Sequence, residues 1–254
     1  MDEEFLYKKI QEALENLPEN FNVLEEQIDV QLQMEYFKFT RKFRMGKESQ
    51  RFLAQPSLLF DPEVSIQVKK KILASLAASV EVESFRTIEK YQADPDPALK
   101  EWATLALQES RMLLQSSLLD EQQIFISTGL GGKGQKLRYF VVFFHKEGKG
   151  LTAMQQKLLS DEIKYVIEKN EGEVEEFTEN LDYSSAQVVL PIRAELKDIF
   201  RGIIDECNQY GNFLKDDMVI TNVKRLNPVE IVEILNQQKS DDPVKDFDIS
   251  EDPV

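Results

Sequence analysis

Cysteine and histidine are almost missing from this chain of 254 residues, which contains one of each, Cys207 and His145. A single cysteine cannot form a disulfide within the chain, and this favours a reducing compartment. Zinc sites usually draw on several cysteines and histidines, so no site of that kind is expected. A Cys–His catalytic pair would need residues that are predicted at a strand end and inside a helix. We therefore expect no metal site, no cofactor and no catalytic site, and thus a protein that is not an enzyme.

Long hydrophobic runs are missing as well. No segment approaches the roughly 20 apolar residues of a membrane-spanning helix. The first residues, from Met1 to Glu4, are acidic, whereas a signal peptide starts with a basic region followed by an apolar one. These two absences predict a cytoplasmic protein without membrane contacts.

Positive charge is in deficit, because 31 Lys and Arg residues stand against 46 Asp and Glu residues, for a formal net charge of −15. The summed field of such an acidic protein repels nucleic acid and anionic membranes. Nucleic acid is therefore disfavoured as a partner, and its binding would require a local basic patch.

Glycine is rare in the first 120 residues, where Gly46 stands alone. Apolar residues recur there three and four positions apart, which is the period of an amphipathic helix. The pattern predicts one helix over residues 6–17, which ends at Pro18, and a second over residues 24–52. The first part of the chain is thus predicted to be entirely helical.

Two segments about 35 residues apart repeat one pattern. It consists of Asp-Pro followed by apolar residues at equal offsets: Asp61, Pro62, Val64, Val68 and Ile72 in the first segment, and Asp96, Pro97, Leu99, Ala103 and Leu107 in the second. Each aspartate is suited to cap a helix by accepting from first-turn N–H groups, and proline is favoured at the first helical position. A further helix is predicted between them, over residues 80–91.

This pattern, Asp-Pro-x-[Val/Leu]-x-x-x-[Ala/Val]-x-x-x-[Leu/Ile], resembles HEAT-like helical repeats over about residues 61–114. The arginine that usually follows the apolar position is replaced by Ser65 in one unit and Lys100 in the other. The resemblance implies stacked helix pairs that present a protein-binding surface, because a single repeat cannot bury its own apolar face.

The pattern changes to that of a mixed α+β domain at about residue 122. Strands are predicted over 124–128, 137–144, 173–178, 186–190 and 218–221, and helices after the capping box at Thr152, over 193–210, and after Asn227. From residue 137 the order is β, α, β, β, α, β. This order resembles the ferredoxin-like topology, which implies two helices on one face of an antiparallel sheet.

The predicted fold class is therefore α+β, with an all-helical HEAT-like region followed by a ferredoxin-like domain. We place the helical domain at 1–120, the ferredoxin-like domain at 121–238 and a disordered acidic tail at 239–254. The tail is assigned because it is rich in Asp and has few apolar residues.

A glycine-rich segment is the first candidate site. It contains Gly129, Gly131, Gly132 and Gly134, with the basic residues Lys133, Lys136 and Arg138. A phosphate-binding loop needs a helix after its glycines, but a strand follows here, so a flexible hairpin is the favoured interpretation. An anion or RNA contact, or a small-ligand site of the kind found in ACT-type domains, remains as an alternative.

A basic run in the predicted second helix is the other candidate site. It contains Lys38, Arg41, Lys42, Arg44, Lys47 and Arg51, interleaved with Tyr36, Phe37, Phe39 and Phe43. The favoured interpretation places the aromatic rings in the core and pairs the exposed cations with the abundant carboxylates. The alternative is a surface that follows phosphates.

These features lead to the hypothesis of a non-catalytic scaffold or adaptor that binds a protein partner. The first alternative is an RNA- or ribosome-associated protein that uses the basic helix and the glycine-rich segment. The second is a regulator that senses a small ligand through its ferredoxin-like domain. The sequence indicates neither the partner nor the oligomeric state.

Overall fold

The computed structural model describes residues 21–44, 48–119, 124–146 and 150–241. The helix predicted at residues 6–17 and the part of the predicted tail beyond residue 241 lie outside these ranges. Within them the chain is mixed helix and strand, with helices first and a sheet later, and this confirms the α+β class.

Five α-helices precede the main sheet in the described part of the chain. They are α1 (Val30–Arg44), α2 (Ser49–Leu53), α3 (Ile66–Ala77), α4 (Val82–Gln92) and α5 (Lys100–Leu119), with 3-10 helices at Pro56–Phe60 and Pro97–Leu99. Their buried side chains form one cluster around Trp102, which is 1% exposed. Tyr36 of α1, Leu73 of α3 and Ile88 of α4 meet in this cluster. The helical region thus has its own hydrophobic core.

Helix α1 begins six residues later than the sequence predicts. The Asp29 carboxylate accepts hydrogen bonds from the backbone N–H groups of Gln31 (2.8 Å) and Leu32 (3.2 Å), so Asp29 is the N-cap. Residues 24–28, which were assigned to this helix, precede the cap, with Leu24 and Ile28 buried. The capping aspartate therefore sets the helix start, and the apolar pattern alone misplaced it.

The two Asp-Pro motifs do not cap α-helices as predicted. The Asp61 carboxylate accepts from the Glu63 N–H (2.9 Å) in a turn, and α3 begins only after Ser65. Asp96 precedes the short 3-10 helix Pro97–Leu99 and makes no side-chain capping bond. Its carboxylate is occupied by side chains from other helices, so it is not available to the backbone.

The main sheet is antiparallel and is built around one long strand, Lys136–His145. Its strands are β3 (Gly132–Lys133), β4 (Lys136–His145), β5 (Glu173–Glu179), β6 (Tyr183–Pro191) and β7 (Leu214–Thr221). Strand β4 pairs with β6 on one side and with β3 and β7 on the other, and β5 lies outside β6. The order across the long strands is thus β7, β4, β6, β5.

Helices cover both faces of this sheet. On one face, α6 (Ala153–Lys169) and α7 (Leu196–Gln209) bury Ile163 and Phe200 against Val141 and Phe143 of β4. On the other face, α8 (Pro228–Asp241) buries Ile231 and Leu235 near Phe140 and Val142. Alternate residues of β4 point to opposite faces, so both of its faces are apolar.

The predicted caps of α6 and α8 are confirmed. Thr152 Oγ1 accepts from the Gln155 N–H, and the Gln155 side chain accepts from the Thr152 N–H at 2.9 Å. Asn227 Oδ1 accepts from the Val229 and Glu230 N–H groups at 2.9 and 3.0 Å. Helix α8 continues to Asp241, so residues 239–241 of the predicted tail are helical.

A short parallel pair joins the helical and sheet-containing regions. Strand β1 (Phe21–Val23) pairs with β2 (Ile124–Ile126), and the Leu24 N–H donates to Ile126 O at 2.9 Å. Phe21 packs into the sheet core, whereas Leu24 packs into the helical core. The chain before α1 therefore contacts residues on both sides of the boundary predicted near residue 120.

None of the helices in the described ranges is long and apolar enough to cross a membrane.

Candidate functional site

Helix α1 has one buried and one exposed face. Gln33, Tyr36 and Thr40 are buried, and Tyr36 packs edge-on against Trp102 with ring centroids 5.1 Å apart. The opposite side carries the residues that we call the α1 basic face: Met34, Phe37, Lys38, Arg41 and Lys42. Four of them follow the i, i+3, i+4, i+7 spacing, and Lys42 lies at their edge, so they form a continuous strip along the helix.

Two side chains of the α1 basic face are apolar and exposed. Met34 is 46% exposed and Phe37 is 43% exposed. The prediction that the aromatic residues of this run all point to the core is therefore wrong for Phe37. Its neighbours Tyr36 and Phe39 both pack edge-on against Trp102. Phe37 packs edge-on against Tyr36, with ring centroids 5.4 Å apart, and the rest of its ring stays exposed.

The cations of the α1 basic face are not neutralised within the described part of the chain. Residues 30–71 contain nine Lys or Arg and four Asp or Glu, so this region carries a net charge of +5 inside an acidic protein. Lys38, Arg41 and Lys42 are exposed and form no ion pair with any described residue, although pairing with surplus carboxylates was predicted. Their positive charge is therefore presented to solvent.

Other cations within residues 30–71 form ion pairs. Arg44, a predicted site residue, pairs with Glu109 of α5, which also accepts from the Tyr36 hydroxyl at 2.6 Å. Lys70 pairs with Glu35 at 3.0 Å, and its Nζ lies 3.9 Å from the centre of the Trp102 ring. Arg44 and Lys70 thus attach α1 to its neighbouring helices.

The basic residues in and after the glycine-rich segment form ion pairs with acidic side chains of β5 or donate to a backbone oxygen. Lys133 pairs with Glu173 at 2.6 Å, and Lys136 donates to Glu171 O. Arg138 makes a two-point pair with Glu175, from Nε at 2.5 Å and from Nη2 at 2.8 Å. Hydrogen bonding to Arg138 lowers the pKa of Glu175, so that carboxylate stays ionised. The structure thus places these predicted site residues in pairs within the sheet.

The glycine-rich segment packs closely against the backbone of other segments and ends in a very short hairpin. Gly131 has φ +68°, and a Cβ built there would lie 2.5 Å from Glu25 O and 2.6 Å from Glu26 O. A Cβ at Gly129 would lie 1.6 Å from Val223 O. A short hairpin forms where β3 meets β4. The predicted hairpin between strands 124–128 and 137–144 is not formed, because β2 pairs with β1 and not with β4, and Gly129 and Gly131 are buried between other backbone segments. These glycines are required because neighbouring backbone approaches them closely.

A cleft of about 290 Å³ lies beside the glycine-rich segment. Its walls include Glu25, Glu26 and Arg111, together with the apolar side chains of Met112 and Phe125. Carboxylates and a guanidinium are mixed along the walls, so the cleft does not concentrate charge of one sign. The α1 basic face is therefore the stronger candidate for recognition.

Sequence reasoning missed a buried ionic network in the helical core. Lys69 Nζ of α3 and the Tyr91 hydroxyl of α4 both donate to Asp96 Oδ2, each at 2.7 Å. The Lys69 side chain is 4% exposed and that of Asp96 is 33% exposed. Lys69 and Asp96 are 27 residues apart, and no local pattern signals such a pair.

His145 is buried and hydrogen-bonded at both ring nitrogens. Nδ1 lies 3.1 Å from Leu181 O, and Nε2 lies 2.9 Å from Ser184 Oγ. A carbonyl oxygen only accepts, so Nδ1 carries the proton and Nε2 accepts from the serine hydroxyl. Burial lowers the pKa of His145, which favours this neutral form. The sequence predicted an ordinary strand-end residue at this position.

Protonation of His145 is expected to destabilise the fold. Because its pKa is lower in the folded than in the unfolded state, its contribution is complete above the unfolded pKa of about 6.5 and falls as the pH drops below it. We expect urea titrations at about pH 7 and about pH 5 to give a larger loss of unfolding free energy for the wild type than for His145→Gln. An equal loss in both proteins would contradict this assignment.

Cys207 is buried in the sheet core, and burial raises the pKa of its thiol to about 12. A thiol with this pKa stays protonated near neutral pH, so it is a poor nucleophile. No group of three or more His, Cys, Asp or Glu residues in the described ranges is arranged to hold a metal ion.

No family model and no curated protein matches the chain. Among solved structures, the chain is similar to a protein from Deinococcus radiodurans described as a "putative transposase". The sequences are 14% identical, the TM-score is 0.35, and the match covers 41% of this chain and 91% of the other. A similarity at this level carries no argument about activity.

The predicted scaffold or adaptor function is not supported. A solved structure that resembles the chain is described as a "putative transposase" and not as a scaffold. The scaffold hypothesis rested on the HEAT-like pattern, whose two Asp-Pro caps are not formed as predicted. The exposed surface is therefore the remaining basis for a function.

Proposed function

We propose that the protein binds single-stranded DNA through the α1 basic face. The observation that carries the proposal is an exposed aromatic ring, Phe37, on the same helical strip as Lys38 and Arg41, two cations that pair with no described residue. Proteins that bind single strands combine cations that contact the phosphates with aromatic rings on which bases stack.

The exposed ring favours a single strand over a duplex. A base can stack on the Phe37 ring only when it is not already stacked and paired inside a double helix. The three cations Lys38, Arg41 and Lys42 supply only a few phosphate contacts, which suits a short stretch of backbone. We propose modest affinity without base sequence preference.

The α1 basic face is proposed without the glycine-rich segment. The RNA or ribosome hypothesis relied on Lys133, Lys136 and Arg138 in addition to the basic helix. Pairs with Glu173 and Glu175 neutralise Lys133 and Arg138 and place carboxylates where a phosphate would have to lie. The binding surface is therefore confined to α1.

The acidic remainder of the protein determines the conditions for binding. A net charge of −15 repels DNA at long range, so only the local field of the α1 basic face attracts it. Screening by salt shortens the range of all these interactions to about 10 Å at 0.1 M.

For the fold we propose the two architectures that the sequence resembles. The antiparallel order β7, β4, β6, β5 with α6 and α7 on one face supports a ferredoxin-like domain. The common core of α3, α4 and α5 supports a divergent HEAT-like unit. Neither architecture identifies a function by itself.

Two variants of α1 test the proposed function. Lys38→Glu with Arg41→Glu places acidic groups among the phosphates, and Phe37→Ala removes the stacking ring. We expect each variant to weaken binding of a fluorescent single-stranded oligonucleotide, measured by anisotropy, by about tenfold or more.

Helix α6 offers matched controls. Lys157 and Lys164 are exposed and seven residues apart, and Tyr165 is 61% exposed. Lys157→Glu with Lys164→Glu makes the same change in net charge, and Tyr165→Ala also removes an exposed ring. Equal losses in the α1 and α6 variants, or no measurable binding by the wild type at low salt, would reject the proposal.

A further inference from the structure

The segment that follows α8 has the opposite character to the α1 basic face. Residues 241–252 contain six acidic residues and one basic residue, Lys245, for a net charge of −5. Phe247 and Ile249 alternate with Asp246 and Asp248. Closely spaced carboxylates with an intervening aromatic ring resemble, in charge and stacking ability, the nucleic-acid strand proposed above.

We propose that residues 241–252 dock on the α1 basic face and compete there with single-stranded DNA. The carboxylates pair with Lys38, Arg41 and Lys42, and Phe247 covers the exposed side chains of Met34 and Phe37. We choose this segment because its charge is complementary to that of the α1 basic face. Met34 and Phe37, which are 46% and 43% exposed, also offer an apolar surface for Phe247 to cover. The competition rests on the proposed function, but the docking does not.

The geometry allows this contact within one chain. Ile231 and Leu235 of α8 belong to the same hydrophobic cluster as Leu130, while Gln33 Nε2 of α1 donates to Thr128 O at 3.0 Å. Both helices thus lie near the same short stretch, residues 128–130.

The segment is long compared with the two helix ends that it has to pass. At 1.5 Å per residue, α8 extends about 9 Å beyond Leu235, and α1 extends about 12 Å from Gln33 to Arg41. Residues 242–252 span up to about 35 Å when extended, which is more than these two lengths together.

A spin label tests the docking without DNA. Cys207 is buried and its thiol pKa is raised to about 12, so a label reacts selectively with an introduced Ser250→Cys. We expect the amide signals of α1 around Phe37 to Arg41 to broaden at low salt. Broadening should be lost in Lys38→Glu with Arg41→Glu and kept in Lys157→Glu with Lys164→Glu. Broadening of amide signals outside α1, or broadening that persists in Lys38→Glu with Arg41→Glu, would overturn the docking.

DNA binding tests the competition. The variant combines Asp246→Asn, Asp248→Asn, Glu251→Gln and Asp252→Asn, which removes charge but keeps the length. We expect its affinity for the oligonucleotide to exceed that of the wild type about threefold or more, because a tethered competitor acts at a high effective concentration. An unchanged affinity would refute competition.

The outcomes separate the two proposals. Broadening of α1 signals in a protein that binds no DNA would keep the docking and reject the proposed function. DNA binding without broadening would do the reverse. Residues 1–20 are also acidic. If their deletion raises the DNA affinity while the charge-neutralised segment does not, they are the occupant and the present proposal is wrong.

Discussion

Replacing Gly131 by alanine is expected to destabilise the protein by at least about 4 kcal/mol, the upper end of single-residue effects. Two penalties add at this position. The φ of +68° is unfavourable for any residue with a Cβ, and that Cβ would lie 2.5 Å from Glu25 O and 2.6 Å from Glu26 O. Both contacts are with backbone, so relief would require the segment before α1 to move.

Gly134 provides the matched control. It has a similar φ of +61°, but a Cβ there would meet nothing within 4 Å. Gly134→Ala should therefore cost only the conformational penalty, about 1 kcal/mol. Urea denaturation followed by circular dichroism measures both. Similar losses for Gly131→Ala and Gly134→Ala would mean that the segment 129–134 is not packed against residues 25 and 26.

Removing the Asp96 carboxylate is expected to cost about 3 kcal/mol, because Asp96→Ala leaves the buried Lys69 ammonium without its partner. The side chain of Lys69 is 4% exposed, so water cannot readily replace the lost oxygen. Hydrogen bonds from Lys69 and Tyr91 lower the pKa of Asp96. The stabilisation is thus present above the ordinary aspartate pKa of about 3.9 and is lost as the pH falls through the lowered value.

Two further variants show whether burial of the charge causes this loss. Lys69→Met removes the buried charge and leaves a partly exposed carboxylate, so it should cost clearly less than Asp96→Ala. Glu35→Gln breaks the exposed pair with Lys70 and should change the unfolding free energy by less than about 1 kcal/mol. Thermal or urea unfolding ranks the three. A larger loss for Lys69→Met than for Asp96→Ala would contradict the assignment.

Much of the fold could be predicted from local patterns. The alternation and apolar run of residues 137–144 predicted β4, and the capping residues Thr152 and Asn227 located the starts of α6 and α8. These signals work because backbone hydrogen bonding within a few residues creates them. The α+β class followed from the same information.

The errors arise where distant residues decide the outcome. Asp96 was predicted to cap a helix, but Lys69 and Tyr91 occupy its carboxylate. Apolar residues lie on both sides of α1, so the sequence could not decide whether Phe37 or Phe39 faces Trp102. Only tertiary packing distinguishes these two rings.

The candidate site could be predicted only in part, because tertiary contacts decide which of its cations are free. Lys38, Arg41 and Lys42 lie exposed on a helix as expected, but their lack of partners among the described residues is a tertiary property. Lys133 and Arg138 looked equally available in the sequence. Their partners, Glu173 and Glu175, follow about 40 residues later and are brought close by the sheet.

The salt dependence of single-stranded DNA binding tests the central claim most directly. If Lys38, Arg41 and Lys42 each contact one phosphate, the logarithm of the association constant should fall with the logarithm of the salt concentration with a slope of about −2. Lys38→Glu with Arg41→Glu should lose both the affinity and most of this slope. A slope near zero in the wild type, or an unchanged slope in the variant, would show that the α1 basic face is not the binding surface.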